Sequence, residues 1–258
     1  MSLISEQEAR QRQLPGCDVF KRTQLAYKDN LNRDHFVVSL NREALKIFNL
    51  AVTFEQHSEL KAQAQKVKQQ LADGTFNLEN YQISEQHWRL MEYMNLEFFY
   101  IATGFELHFK SWLVQKDFIV NIIDKAEPFK NLKNEQRNRP INKTELFALG
   151  NFQYDTDKQI NILQGVTEQS LGFNTICNTT NYVSALNISN EIICMVEDYR
   201  NLRNQIHLPG DPCETPNISR IGENATEMLI DFINDRIVNN SNKLIQQYNF
   251  NFSPLANL

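Results

Sequence analysis

One short stretch in the last third of the chain contains an arginine and a histidine spaced so that both lie on nearly the same face of a helix. Arg200 and His207 are seven residues apart. Two turns of α-helix return residues at this spacing to nearly the same face, roughly 10 Å apart along the axis. Arginine is a permanent planar cation that binds phosphate through two hydrogen bonds, and histidine exchanges protons near neutral pH. Residues of these types are able to hold a phosphate and to transfer a proton.

The residues around this pair extend its polar face. Arg203 and Asn204 lie between the pair on the same face of the predicted helix, and polar Asn201 follows Arg200 directly. An apolar stripe runs beside them, so the polar residues line the edge of a buried helix rather than its solvated back. We predict Arg200 and His207 as the catalytic residues. The predicted substrate-binding residues are Asn201, Arg203 and Asn204. The stripe consists of Tyr199, Leu202 and Ile206.

Two long helices are predicted to position this face. The first covers residues 84–115, where apolar and aromatic residues recur every three or four positions, as on one buried helix face. The second covers residues 184–208 and stops at Pro209-Gly210. Glycine and proline are scarce, 8 and 7 in 258 residues, which favours long helices. The stripe of the first helix contains Trp88, Met91, Phe98, Ala102, Phe105, Phe109 and Trp112.

The remaining chain divides into shorter predicted elements. Residues 1–40 are polar and irregular, and the apolar run at residues 35–40 is a candidate strand. A helix is predicted over residues 41–72, and Asp73-Gly74 ends it. Residues 124–143 are charged and contain two prolines, which predicts a surface loop. Further helices are predicted over residues 143–150, over residues 156–171 and from residue 224 onward.

Composition and charge limit the classes to which the chain can belong. Hydrophobic residues make up 41% and charged residues 22%, which excludes a disordered or a membranous chain. No apolar run approaches the roughly 20 residues that a membrane helix needs. The polar start has no signal-peptide core, so we expect a cytoplasmic protein without a membrane partner. The net charge of −5 argues against broad charge-driven binding of nucleic acid, although it leaves room for a local basic site.

The cysteines give no indication of a metal site or a disulfide framework. Cys17, Cys177, Cys194 and Cys213 form no CxxC pair, and we interpret them as reduced thiols. A zinc site made of Cys194, His207 and Cys213 is an alternative on paper, but it lacks a paired ligand at either end. We therefore expect no metal and no other cofactor.

Other polar residues have more than one interpretation. Glu106 adjoins the aromatic stripe of the first long helix and could reach the Arg200 face, where it either contributes to catalysis, holds that arginine through a buried ion pair, or is solvated. Arg137 and Arg139 lie in the basic segment at residues 130–143. They either contact RNA or belong to a solvated loop.

The Arg–His stretch resembles the signature of the HEPN superfamily, in which four to six residues separate an arginine from a histidine. Here six residues separate Arg200 from His207, and polar Asn201 follows the arginine, whereas Arg203 leaves only three. The upstream segment FELHFKSWL, residues 105–113, resembles the E-L-x-x-K-x-x-L core helix of that family. The resemblance covers about residues 84–245.

This resemblance implies an all-α fold, a helical bundle of HEPN type over residues 81–250 with a partly helical N-terminal extension over residues 1–80. It implies a metal-independent endoribonuclease of a defence or toxin–antitoxin system. HEPN proteins usually form homodimers, which would bring two Arg200–His207 faces together. RNA and an antitoxin or another defence protein are the expected partners. The residue types suit this chemistry, because the 2′-OH of RNA attacks the adjacent phosphate when a base and an acid assist.

Two alternatives stay open at the level of the sequence. Some HEPN proteins have lost catalysis, so the chain is alternatively a non-catalytic HEPN-like module that binds a protein partner or a small ligand. An arginine and a histidine seven apart also occur by chance, as surface charges that interact with a helix dipole. This chance alternative predicts that Arg200 and His207 point into bulk solvent.

Overall fold

A computed structural model of the chain describes residues 19–53, 85–150, 152–156, 160–206 and 223–258, with single residues and short runs between 62 and 75. Helices make up most of these residues, which confirms the predicted all-α class. None of the helices within these ranges is long and apolar enough to cross a membrane.

The helices and strands follow one another along the chain in a fixed order. The helices are α1 (Val19–Lys28), α2 (Asn30–Thr53), α3 (Glu85–Gln115), α4 (Lys130–Gln136), α5 (Lys143–Leu149), α6 (Phe173–Asn178), α7 (Thr180–Leu186), α8 (Asn190–Ile206), α9 (Glu223–Ile233) and α10 (Asn240–Tyr248), with a π-helical segment (Asn234–Asn239) between the last two. The strands are β1 (Asn121–Ile123), β2 (Phe152–Asp155), β3 (Ile160–Leu163) and β4 (Val166–Ser170).

Short strands stand where the pattern predicted a helix over residues 156–171. β3 and β4 flank a turn at Gly165, whose φ of 81° lies in the left-handed region that glycine adopts without strain. β3 pairs antiparallel with β2, and β4 pairs antiparallel with β1. The helix prediction was wrong because a short apolar run does not distinguish helix from strand until its pairing partners are known.

The N-terminal region is helical from residue 19 onward, where irregular chain and a candidate strand were expected. The carboxylate of Asp29 accepts a hydrogen bond of 2.8 Å from the backbone N–H of Asn32, and this contact caps the start of α2. Residues 36–38 are all buried within α2. The strand prediction was wrong because consecutive apolar residues also suit a helix that is covered on more than one side.

The predicted ends of other elements have mixed outcomes. Gly74 has a φ of 67°, and Thr75 donates its N–H back to the carbonyl of Gln70, so Asp73-Gly74 ends the preceding helical turns as predicted. The predicted loop at residues 124–143 contains the helix α4. A capping box at Asn142, formed with the residue three positions into the helix, starts α5.

The chain forms two compact units, and the division between them falls within α2, α3 and α10. Among the described residues, the first unit comprises 19–40, 109–186 and 244–251. The second unit comprises 41–53, 85–108, 187–206, 223–243 and 252–258, with the short runs between 62 and 75. The predicted boundary near residue 80 follows the family resemblance and stays a prediction.

In the first unit, side chains of α1 hold the strand region through buried hydrogen bonds. Gln24 accepts a hydrogen bond of 2.7 Å from the backbone N–H of Leu163 in β3. The hydroxyl of Tyr27 donates to Asn121 Oδ1 at 2.9 Å and accepts from the backbone N–H of Val120 at 3.0 Å. These contacts satisfy polar groups that burial would otherwise leave without partners.

In the second unit, aromatic rings pack around a close approach between α2 and α3. The rings of Phe48 and Phe105 lie 5.0 Å apart, and the ring of Phe232 lies 6.0 Å from that of Phe105. A Cβ atom on Gly104 would lie 2.6 Å from the Phe48 ring. The glycine inside this long helix is therefore required by packing, and not merely tolerated.

Candidate functional site

The helix that carries the Arg–His stretch is α8, and its described residues pack as their spacing predicts. Val196, Tyr199 and Leu202 are buried, with at most 4% of each residue exposed. The ring of Tyr199 lies 5.8 Å from the ring of Phe98 in α3. This apolar contact holds α8 beside α3 and thereby orients the polar side chains next to the stripe.

Arg200 is enclosed and bound by groups of its own helix. Only 7% of the residue is exposed. Its Nε donates to Glu197 Oε2 at 3.0 Å, and its Nη2 donates to Glu197 Oε1 and, at 2.8 Å, to Asn201 Oδ1. A bidentate contact of this kind fixes the plane of the guanidinium group. The chance alternative requires Arg200 to point into bulk solvent, and it does not.

Arg203 forms an ion pair with Glu106 of α3. Its Nη1 lies 3.0 Å from Glu106 Oε2, and the two side chains are 18% and 24% exposed. Glu106 is therefore an ion-pair partner, as one of the three interpretations of the sequence has it, but its partner is Arg203 and not the expected Arg200. The pair ties α8 to α3 at the level of the predicted site.

The other predicted site residues differ in burial and in the contacts that they make. Asn201 is exposed, and its side-chain oxygen accepts a hydrogen bond from Arg200. Asn204 is half-buried, and its Oδ1 lies 3.5 Å from Arg203 Nη2, at the limit of a hydrogen bond. His207 lies outside the described residues, so its geometry relative to Arg200 stays a prediction.

His108, in the E-L-x-x-K-x-x-L segment, belongs to the core of the second unit. It is 1% exposed, and its Nδ1 lies 3.2 Å from Asn41 Oδ1. Asn41 in turn donates to the hydroxyl of Ser241 at 3.0 Å. Burial, together with the charge of Arg236, lowers the pKa of His108 from 6.5 to about 3. His108 is therefore neutral at neutral pH and is too enclosed to reach a phosphate.

Each of the two arginines of the predicted site is paired with a glutamate. Arg200 and Arg203 contribute two positive charges, and Glu197 and Glu106 contribute two negative charges. Charges that are paired in this way attract a distant polyanion only weakly.

Neither a metal centre nor a disulfide occurs within the described ranges. No group of three His, Cys, Asp or Glu side chains in these ranges stands close enough together to hold a metal ion. Cys177 is buried, Cys194 is half-buried, and both are free thiols. Cys17, Cys213 and His207 lie outside the described residues, so the zinc alternative rests on the sequence alone.

An apolar cavity in the second unit is too small for a small-molecule ligand. Its volume is about 40 Å³, and Phe48, Ile101 and Tyr199 contribute to its walls. A water molecule occupies about 30 Å³, whereas ligand pockets in proteins begin near about 300 Å³. This cavity gives no support to the small-ligand alternative.

Glu197 is the residue of this cluster that the sequence interpretation missed. It precedes Arg200 by three residues, and oppositely charged side chains at this spacing face each other on a helix. The spacing was therefore a usable signal. The partnership of Glu106 with Arg203 rather than Arg200 had no such signal, because it depends on how α3 and α8 align.

Comparisons of the chain with protein-family models, with curated proteins and with solved structures found no match.

Proposed function

We propose that the chain is a metal-independent endoribonuclease of HEPN type that acts in a defence or toxin–antitoxin system. The observation that carries this proposal is the ion pair between Glu106 and Arg203. It joins α3, which contains the E-L-x-x-K-x-x-L pattern, to α8, which contains the Arg–His stretch. Glu106 and Arg203 are 97 positions apart in the sequence, yet their side chains are in contact in the second unit. If the two sequence patterns had arisen independently by chance, there would be no reason for them to be in contact in the fold.

The reaction is an internal transfer at phosphorus. The 2′ oxygen of a ribose bonds to the adjacent phosphorus while the bond from phosphorus to the 5′ oxygen breaks. A base accepts the proton of the 2′-OH, and an acid donates a proton to the leaving 5′ oxygen. The products are a 2′,3′-cyclic phosphate and a 5′-hydroxyl end, and no metal is required.

Each proposed residue has one role in this reaction. Arg200 stabilises the negative charge that develops on the phosphate oxygens, and Glu197 keeps its guanidinium group oriented. The sequence predicts that His207 lies in the last turn of a helix ending at residue 208, and the C-terminal end of a helix favours a protonated imidazole. His207 therefore acts as the acid. Asn201, Arg203 and Asn204 contact the substrate beside it.

The base comes from a second copy of the chain in a homodimer. One chain supplies one such histidine, so a two-fold partner is the simplest source of the other. Leu96 and Phe99, one turn apart on α3 in the second unit, are 37% and 39% exposed. An exposed apolar pair of this kind supports a contact with another protein surface.

The test is cleavage of RNA by the purified protein in the presence of EDTA. We expect cyclic-phosphate ends, and we expect His207→Ala to abolish cleavage while folding and dimer formation persist. If several RNA substrates stay intact at high protein concentration, the proposed ribonuclease activity is refuted. Light scattering that shows a monomer at micromolar concentration, with cleavage retained, refutes the two-histidine mechanism.

One observation favours the non-catalytic binding module instead. Arg200 is enclosed by Glu197 and Asn201, an arrangement that an arginine with a structural role also adopts. In this second candidate function, the exposed pair Leu96 and Phe99 receives a protein partner. Expression in bacterial cells separates the two functions, because an active ribonuclease arrests growth and its Arg200→Ala variant does not. A binding module leaves growth unchanged with either sequence.

A further inference from the structure

The arginines of the cluster at Arg200 are already paired with glutamates, which raises the question of what attracts a polyanion to this acidic chain. A group of cations lies in the first unit, on α4 and the turn before it. Three cations stand out there, Lys125, Lys133 and Arg137, and together they are called the α4 surface.

The cations of the α4 surface differ from their neighbours in having no ion-pair partner among the described residues. The nearby Lys130 lies 3.5 Å from the carboxylate of Glu127. Arg139 is held by two glutamates, one of them Glu145 at 2.9 Å. Two cations of this segment are thus paired with carboxylates. The other three have no such partner among the described residues, and of these Lys125 and Arg137 are exposed and Lys133 is half-buried.

Lys133 and Arg137 are spaced closely enough along the chain to repel each other. Lys133 and Arg137 are four residues apart, about 6 Å along the helix axis, and like charges at this spacing destabilise a helix. The pKa of Lys133 lies below its ordinary value, because of desolvation first and then because of repulsion by Lys125 and Arg137, which Asp124 partly opposes. Such repulsion is relieved when an anion binds.

The α4 surface is built on a firmly anchored element. The side chain of Gln136, which is 2% exposed, donates to the carbonyl of Asn121 at 2.7 Å and accepts from the N–H of Ile123 at 3.1 Å. The backbone carbonyl of Gln136 accepts a hydrogen bond from the hydroxyl of Tyr182 at 2.9 Å. The segment is thereby fixed to β1 and α7, so little ordering remains to be done when a ligand binds.

The residues around the cations favour a nucleic acid over a protein as the ligand. Asn131, Asn134 and Asn138 are exposed, and amide side chains donate hydrogen bonds to phosphate and sugar oxygens. Within residues 124–139, every large apolar side chain is at least partly covered. Protein interfaces are built around an apolar centre, whereas interfaces with nucleic acid are polar and positively charged.

We infer that the α4 surface binds the phosphodiester backbone of single-stranded RNA, as the docking site for the substrate of this protein. The inference rests on the proposed function for the identity of the RNA as a substrate, and it extends that function by naming where the strand is held. Arg139 is excluded from this role because its guanidinium group is already bound to Glu135 and Glu145.

The test measures binding separately from cleavage. A fluorescent 2′-O-methyl RNA oligonucleotide has no free 2′-OH to attack its phosphates, so its anisotropy reports binding by the intact full-length protein. The variant K125Q/K133Q/R137Q removes the α4 surface. The matched control is K46Q/K66Q/K243Q, which removes three exposed lysines elsewhere and changes the net charge equally.

The salt dependence of the affinity gives the expected magnitude. Each contacted phosphate of a single strand contributes about 0.7 to the slope of log affinity against log salt, so loss of three contacts lowers the slope by about 2. The same slope difference corresponds to a roughly hundredfold weaker affinity at about 0.1 M salt. The control should change the affinity by less than about threefold, since dispersed exposed charges are largely screened.

Three outcomes overturn the inference. The first is an equal loss of affinity in both triple variants, which indicates general electrostatics. The second is absence of RNA binding by the wild-type protein at low salt. The third is displacement of the RNA by a polyglutamate peptide of equal charge, followed by tight binding of that peptide, which indicates an acidic protein as the ligand.

The same experiment keeps the two proposals apart. If the protein binds the modified RNA through the α4 surface but does not cut unmodified RNA, the docking-site proposal stands and the ribonuclease proposal fails. If the K125Q/K133Q/R137Q variant cuts RNA with the KM of the wild-type protein, the ribonuclease proposal stands and the docking-site proposal fails.

Discussion

The cations of α8 and those of the α4 surface differ in what surrounds them. The side chains of Arg200 and Arg203 are 8% and 18% exposed, and each is paired with a glutamate. Lys125 and Arg137 are exposed and Lys133 is half-buried, and none of the three has an ion-pair partner among the described residues. In α8 the cationic groups are therefore held in fixed orientations by carboxylates. On the α4 surface they are charges without an ion-pair partner among the described residues.

This difference teaches what each arrangement can contribute. Burial of an arginine removes its charge from water, and a paired carboxylate is needed to offset that cost. The same carboxylate fixes the orientation of the guanidinium group. An exposed lysine keeps its hydration and acts through its charge over about 10 Å in salt. Changes in α8 should therefore alter the chemical step and stability, and changes on the α4 surface should alter binding and its salt dependence.

The largest effect is expected when Arg200→Ala and Arg137→Ala are compared in RNA cleavage. Loss of one group that stabilises a developing negative charge lowers kcat by about a hundredfold or more. Arg137→Ala should leave kcat unchanged and raise KM, because it removes a contact made equally in the ground state and the transition state. Steady-state kinetics in EDTA measure both values.

Folding of both variants is checked by circular dichroism. Equal losses of kcat in the two variants contradict the distinction between the regions. If Arg200→Ala is unfolded, Arg200→Lys provides the second measurement, since it keeps the charge and loses the bidentate geometry.

The stability of the unit that contains α8 should fall at acidic pH because of the buried His108. His108 has a pKa of about 3 in the folded protein against 6.5 as an ordinary histidine. Its contribution to stability is complete above pH 6.5, because the unfolded chain then binds no extra proton. It is lost progressively as the pH falls from 6.5 towards 3, by up to about 1.4 kcal/mol per pH unit.

Urea denaturation at several pH values measures this loss. The variant His108→Gln keeps a polar group next to Asn41 and cannot titrate, so its stability should change less over the same pH range. A wild-type protein and a variant with parallel pH profiles would show that another group controls the acid response.

A smaller effect is expected from the ion pair between α3 and α8. Glu106→Gln keeps the size of the side chain and removes its charge, so the free energy of unfolding should fall by about 1–2 kcal/mol for a partly exposed pair. A double-mutant cycle with Arg203→Gln isolates the interaction from the other effects of each change. A coupling energy near zero would show that the pair does not hold the two helices together.

The smallest effect on stability is expected on the α4 surface. Lys133→Gln removes a charge that repels its neighbours and makes no ion pair with a described residue. The melting temperature should therefore stay within about 2 °C of the wild-type value while the RNA affinity falls. Calorimetry measures the first quantity, and a clear drop in melting temperature would indicate a structural role for Lys133.

The sequence by itself determined the helical class and the local geometry of α3 and α8. Apolar residues at intervals of three and four define one buried face, and this period is a property of the helix alone. The burial of Val196, Tyr199 and Leu202 confirms it. The pairing of Glu197 with Arg200 belongs to the same category, because both residues lie within one turn of the same helix.

Only the tertiary structure decided features that depend on residues far apart in the chain. β3 and β4 are strands because they pair with β2 and β1, and their own short apolar runs suit a helix equally well. Glu106 pairs with Arg203 because of how α3 and α8 align. Arg139 is neutralised by Glu145 in α5, while Arg137, two residues earlier, is not. Spacing along one helix fixes neighbours on that helix, whereas these partners are chosen by packing between elements.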